Sequence, residues 1–68
     1  MNNDKRYCVT YYSTSEDRFY TKKCLSRDEL ELFRNYIFRN KELEEIEAME
    51  LTLTKVGSSV IVYNMVKI

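Results

Sequence analysis

Three observations predict a small α+β domain of order β-β-α-β-β, a four-stranded, largely antiparallel sheet with one helix packed on one face. Residues 6–13 and 18–25 alternate in the manner of paired strands, a capped amphipathic segment runs from 27 to 39, and alternation returns beyond residue 47. The 68 residues suit a single domain, 1–68, with residues 1–5 expected as a disordered N-terminal tail. A chain of this size buries only about 60% of the surface its unfolded form exposes, so its own core is marginal.

The first strand places Tyr7, Val9 and Tyr11 on one side and Arg6, Cys8, Thr10 and Tyr12 on the other. "STSED" is a turn cluster. The second strand sets Phe19, Thr21, Lys23 and Leu25 against Arg18, Tyr20, Lys22 and Cys24. With Thr14 and Arg18 flanking a three-residue loop, Tyr12 is expected opposite Tyr20 and Cys8 opposite Cys24. Tyr7, Val9, Tyr11, Phe19 and Leu25 would then share the core face, and Tyr12 and Tyr20 the other.

The helix start is the clearest local signal. Ser26 followed by Glu29 is a capping box, and Leu25 and Leu30 stand at the flanking positions of a hydrophobic staple. Asp28, Glu29 and Glu31 put negative charge at the positive end of the helix dipole. Leu30, Phe33 and Ile37 form the apolar stripe, widened by Leu32 and Tyr36, and Asn40 reads as a left-handed stop. "KELEEIEAME" has a helix-favouring composition, so a short helical turn or bend is expected at about 41–46 and a strand at about 47–55. "VGSS" supplies the only glycine for a tight turn. Val60 to Ile68 is apolar on both faces, which predicts a central strand covered on both sides.

Charge balances at 11 basic and 11 acidic residues, but unevenly along the chain. Residues 1–27 carry a net +3 and residues 28–50 a net −5, a dipolar arrangement that steers partners. "MNNDKR" lacks the apolar core of a targeting segment, and no apolar run is long enough to span a bilayer. A cytoplasmic protein without membrane contact is expected, its thiols reduced. Phe, Tyr, Met, Ile, Asn and Lys total 27 residues against 7 for Gly, Ala, Arg and Pro, a bias of AT-rich coding that fits a phage or mobile element of a low-GC bacterium.

The residue inventory disfavours catalysis. No histidine is present, and Gly57 stands alone where a phosphate-cradling loop would need several glycines. Two cysteines sixteen positions apart do not close a four-ligand zinc site within one chain. No enzyme activity, metal or cofactor is therefore expected, and binding remains. One helix covers one sheet face, which leaves Tyr12, Tyr20, Ile61, Tyr63 and Met65 as a candidate partner or homodimer interface. Glu42, Glu44, Glu45, Glu47 and Glu50 form an acidic tract suited to an electrostatic contact with a basic protein surface. The alternative is a single-stranded nucleic-acid platform, in which sheet tyrosines stack bases and Arg18, Lys22 and Lys23 meet phosphates.

A hairpin with "VT" and "Y", then "LS" leading into a helix and an acid-flanked strand, resembles the layout of small phage-encoded inhibitors of uracil-DNA glycosylase, over residues 7 to 55. The resemblance implies a compact, dimeric inhibitor that occupies a DNA-binding cleft, and it carries no individual residue over to this chain.

Overall fold

The computed structural model describes residues 4–57 and 60–68, apart from the side chains of residues 55, 56 and 60–63. The order is β1 (Asp4–Ser13), β2 (Arg18–Cys24), α1 (Arg27–Arg39), β3 (Leu43–Val56) and β4 (Val60–Lys67). All neighbouring strands are antiparallel, in the spatial order β2-β1-β3-β4. This is the α+β arrangement the sequence predicts. β1 takes in Asp4 and Lys5, which the sequence reading leaves in a disordered tail.

The hairpin register differs from the expected one by a single residue. Its loop has four residues, Thr14 to Asp17, and Ser13 rather than Thr14 closes it against Arg18. Ser13 is buried, and its hydroxyl accepts a hydrogen bond from the Glu16 N–H (3.3 Å), which ties the longer loop to the strand end. Asp17 completes the turn in the left-handed region (φ 53), which short polar side chains tolerate. The slip reverses the facing of all of β2 relative to β1. Tyr11 therefore opposes Tyr20, Tyr12 opposes Phe19, Tyr7 opposes Cys24 and Cys8 opposes Lys23. The expected Cys8–Cys24 and Tyr12–Tyr20 oppositions do not occur. Phe19 and Leu25, expected in the core, are 67% and 71% exposed.

The α1 boundaries match the sequence reading. Ser26 Oγ accepts from the Glu29 N–H (3.1 Å), while the Glu29 carboxylate accepts from Leu25 N–H (3.2 Å). The return arm of the capping box thus reaches one residue further back than expected, and the exposed Leu25 is not buried by a staple. Leu30 and Ile37 are buried and Phe33 half-buried, but Leu32 and Tyr36 face solvent. Asn40 is extended (φ −101) rather than left-handed. The chain leaves the helix instead through three bonds: Asn40 N–H to Ile37 O, Glu42 N–H to Asn40 Oδ1, and Leu43 N–H to Asn40 O.

Residues 43–46, expected in a helical turn or bend, belong to β3. Pairing with β1 overrides their local helix preference, which is a weak prior beside a strand ladder. The register shifts between Thr10 and Tyr11, so Ile46 is an extra residue in β3. Either side of that bulge, Ala48 and Glu45 share the helix face, while Glu47 and Glu44 share the other. β4 is an edge strand, not the expected central one. With β2 on the far side of β1, a tight hairpin from β3 leaves only the outer edge of β3 for β4. Gly57 supports that hairpin at φ 70.

The core is small: Tyr7, Val9, Cys24, Leu30, Ile37 and Ala48, with Tyr11, Phe33 and Leu43 packed around it. α1 packs on β1, β2 and β3 and, among the described residues, makes no contact with β4. The 14 residues of β3 span about 46 Å at about 3.3 Å each, so its distal half and β4 extend beyond the helix.

Candidate interaction faces

The helix-free face is built by alternation. From β1 and β2 come Cys8, Thr10, Tyr12, Phe19, Thr21 and Lys23, and from β3 and β4 come Met49, Leu51, Leu53 and Met65. Tyr12 and Phe19 pack at 4.9 Å between ring centroids, and Thr10 and Thr21 exchange a hydroxyl hydrogen bond (3.3 Å). Phe19 and Met65 are 67% and 60% exposed, and no element covers this face among the described residues.

Tyr12 is oriented by its hydroxyl, which donates to Asp17 in the hairpin loop. That bond raises the Tyr12 pKa, helped by lost hydration and by the charges of Asp17 and Glu44. Two of the expected interface residues, Tyr12 and Met65, therefore share this face. Tyr20 does not: the register turns it to the helix side. The side chains of Ile61 and Tyr63 lie outside the described residues. The register expected from the sequence puts Phe19 in the core, and only the loop length, four residues instead of three, marks it as part of this face.

The acidic tract is divided by strand geometry. Glu44 and Glu47 lie opposite Tyr12 and Thr10 and share their face. Glu45 is on the helix side, held by Arg34 through Nε to Oε1 (2.8 Å) and Nη2 to Oε2 (3.1 Å). This fork raises the Arg34 pKa, chiefly through the hydrogen bonding, with Glu31 adding a further contact at 3.4 Å. Glu50 pairs with Lys5 at 3.3 Å. Glu42 precedes β3, in the connection from α1. The five acids therefore do not form one patch.

The cations of the nucleic-acid alternative separate as well. Lys22 and Arg18 are on the helix side, with Lys22 Nζ 5.9 Å from the Phe33 ring centroid and the Arg18 guanidinium 6.0 Å from that of Tyr20. Lys23 is on the helix-free side, opposite Cys8.

The helix side holds a second group of rings. Tyr11 stacks on Tyr20 (5.5 Å, 23°), Phe33 meets Tyr11 edge-on (5.3 Å), and Tyr36 lies 5.7 Å from Phe33. Tyr20 donates its hydroxyl to Glu16 (2.8 Å), which raises its pKa. A groove of about 520 Å³ between α1 and the start of β3, lined by Arg34, Phe38, Leu43 and Glu45, has its central charges paired with each other.

Among the described residues no three acidic or cysteine side chains come together as a metal site, and no helix is long and apolar enough to cross a membrane. No protein-family model, curated protein or solved structure matches the chain.

Proposed function

We propose that this chain is a non-enzymatic protein-binding module whose helix-free sheet face contacts another protein and inhibits or modulates it. The observation that carries this reading is the row Tyr12, Phe19, Met49, Leu51 and Met65, apolar and uncovered on the face opposite α1. Apolar surface of this kind on a small domain marks an interaction site, and aromatic and methionine side chains are enriched in such contacts. Glu44 and Glu47 beside Tyr12 favour a partner with a basic rim. Self-association through the same face, giving a homodimer, is a further use of it. The AT-rich coding bias supports a phage or mobile-element setting, with a host protein in the cytoplasm as target.

Stacking of single-stranded nucleic acid is the weaker reading, because Arg18 and Lys22 are on one face and Tyr12, Phe19 and Lys23 on the other. Sedimentation velocity and affinity capture from a low-GC bacterial lysate, with the wild type and a Phe19→Ser/Met65→Ser double variant, test the proposal. A self-association or captured protein lost in the folded double variant supports it. Equal behaviour of both forms, or steeply salt-dependent binding of a single-stranded oligonucleotide, overturns it.

A further inference from the structure

The helix-side rings border a cavity of about 410 Å³ between the β1–β2 loop and the C-terminal turn of α1. Its walls include Tyr11, Tyr20 and Tyr36, with Glu16 and Glu42 as its charged groups. No lysine or arginine lines it, although both types lie close by.

The two carboxylates are positioned differently. Glu16 is held to Tyr20 by the hydroxyl bond already described. Glu42 is fixed through its backbone, since its carbonyl accepts from Thr14 N–H (2.8 Å) and Thr14 Oγ1 (3.2 Å) while its N–H donates to Asn40. Its carboxylate takes part in none of the described ion pairs. Phe33 touches both Tyr11 and Tyr36 and so braces the opposing ring walls.

Two of the protein's own cations sit at the outer edge of cation–π reach of this ring cluster, the Arg18 guanidinium 6.0 Å from the Tyr20 centroid and the Lys22 ammonium 5.9 Å from that of Phe33. Aromatic faces carry negative electrostatic potential, and a tyrosine-lined pocket with carboxylates at its edge favours an organic cation over an anion or a neutral ligand. A bare metal ion is a poor fit, because among the described residues no three acidic or cysteine side chains come together to hold one.

We propose that this cavity binds an organic cation, a guanidinium or alkylammonium group on a flexible stem, with the exposed Tyr36 ring against it and Glu16 and Glu42 facing its charge. The site is on the opposite side of the sheet from the protein-binding face and does not depend on it.

Titration by NMR tests the assignment with Nα-acetyl-arginine amide and choline as probes, and with Nα-acetyl-citrulline amide and 3,3-dimethylbutanol as their neutral counterparts. The cations should bind in the millimolar range, with upfield shifts of the protons that meet the rings, and the neutral counterparts should not. Tyr36→Ala and Glu42→Gln, both at exposed positions, should each weaken binding by about 2- to 30-fold with an unchanged melting temperature. Equal binding of the neutral counterparts, unaltered affinity in both variants, or no probe shifts at tens of millimolar overturns the proposal. Two peptides that differ only in arginine or citrulline assign the source. Tighter binding of the arginine peptide than of the free amide supports a cation presented by a protein, and equal binding supports a free small molecule.

Discussion

Tyr11 and Tyr20 lie directly opposite one another in β1 and β2 with their rings stacked at 5.5 Å, and this pairing decides the facing of the whole hairpin. It places Cys24 beside Tyr7 in the core and turns Cys8 to the other face of the sheet.

The two thiols should therefore not form an intramolecular disulfide. Mild oxidation of the monomer at low concentration should leave two titratable thiols after unfolding, since bridged cysteines need Cβ vectors that point towards one another. In the native protein the half-buried Cys8 should react with a thiol reagent much faster than Cys24. Replacing Cys8 with Ser should remove the fast phase. An internal disulfide found by mass spectrometry would place the hairpin in the other register.

Alkaline pH should destabilise the fold in two stages. Burial, and then the charge of Glu29, raise the Cys24 pKa, so folding favours the protonated thiol. The folded state then holds more protons than the unfolded one, and stability must fall as pH increases. That contribution is intact below the unfolded thiol value of about 8.5 and is lost as pH rises through the folded value. Tyr12 and Tyr20, raised by their bonds to Asp17 and Glu16, act the same way above about 10. Urea melts at several pH values should show the first slope flattened in Cys24→Ala and the second retained.

Leu30 and Leu32, two residues apart on α1, should respond oppositely to truncation. Leu30 is fully buried, and Leu30→Ala should cost about 2–5 kcal/mol, enough to unfold much of the population of so small a domain. Leu32 is 71% exposed, and Leu32→Ala should change stability by less than about 0.5 kcal/mol. Ser26→Ala removes the cap to Glu29 N–H and should cost about 1 kcal/mol. Thermal melts followed by circular dichroism rank the three.

Arg34 ties α1 to β3 through Glu45. A double-mutant cycle with Arg34→Ala and Glu45→Ala should give a coupling of about 0.5–1 kcal/mol, reduced at high salt. Arg34→Lys should recover only part of it, because an ammonium does not match both carboxylate oxygens at once.

Gly57→Ala should lose about 1–2 kcal/mol through backbone strain alone, since at φ +70 an added Cβ meets nothing within 4 Å. Gly57→Asn should lose less, because asparagine tolerates that conformation. Equal stability of Ala and Gly at this position would contradict the positive φ.

Much of the architecture is legible in residues that lie near one another along the chain. Ser26, Glu29 and the stripe Leu30, Phe33, Ile37 mark α1 to its observed ends, because capping and helical periodicity involve partners at most a few positions apart. Alternation in 6–13, 18–25 and 49–54 reveals the strands for the same reason. From these follow the element order, the class of fold and the uncovered sheet face, with Tyr12 and Met65 on it.

The tertiary structure decided whatever depends on distant partners. Ser13 closing a four-residue loop moved Tyr20 to the helix side and Phe19 to the open face. Pairing with β1 drew residues 43–46 out of a helical turn or bend, and the Ile46 bulge separated Glu44 and Glu47 from Glu45 and Glu50. β3 occupied the free side of β1 and left β4, apolar on both faces, at the sheet edge. Local preferences in each of these places amount to a few tenths of a kcal/mol per residue, less than the ladder bonds and burial that the distant partner supplies. The cavity ringed by Tyr11, Tyr20 and Tyr36 exists only because residues from β1, β2 and α1 meet there, and nothing in their sequence spacing announces it.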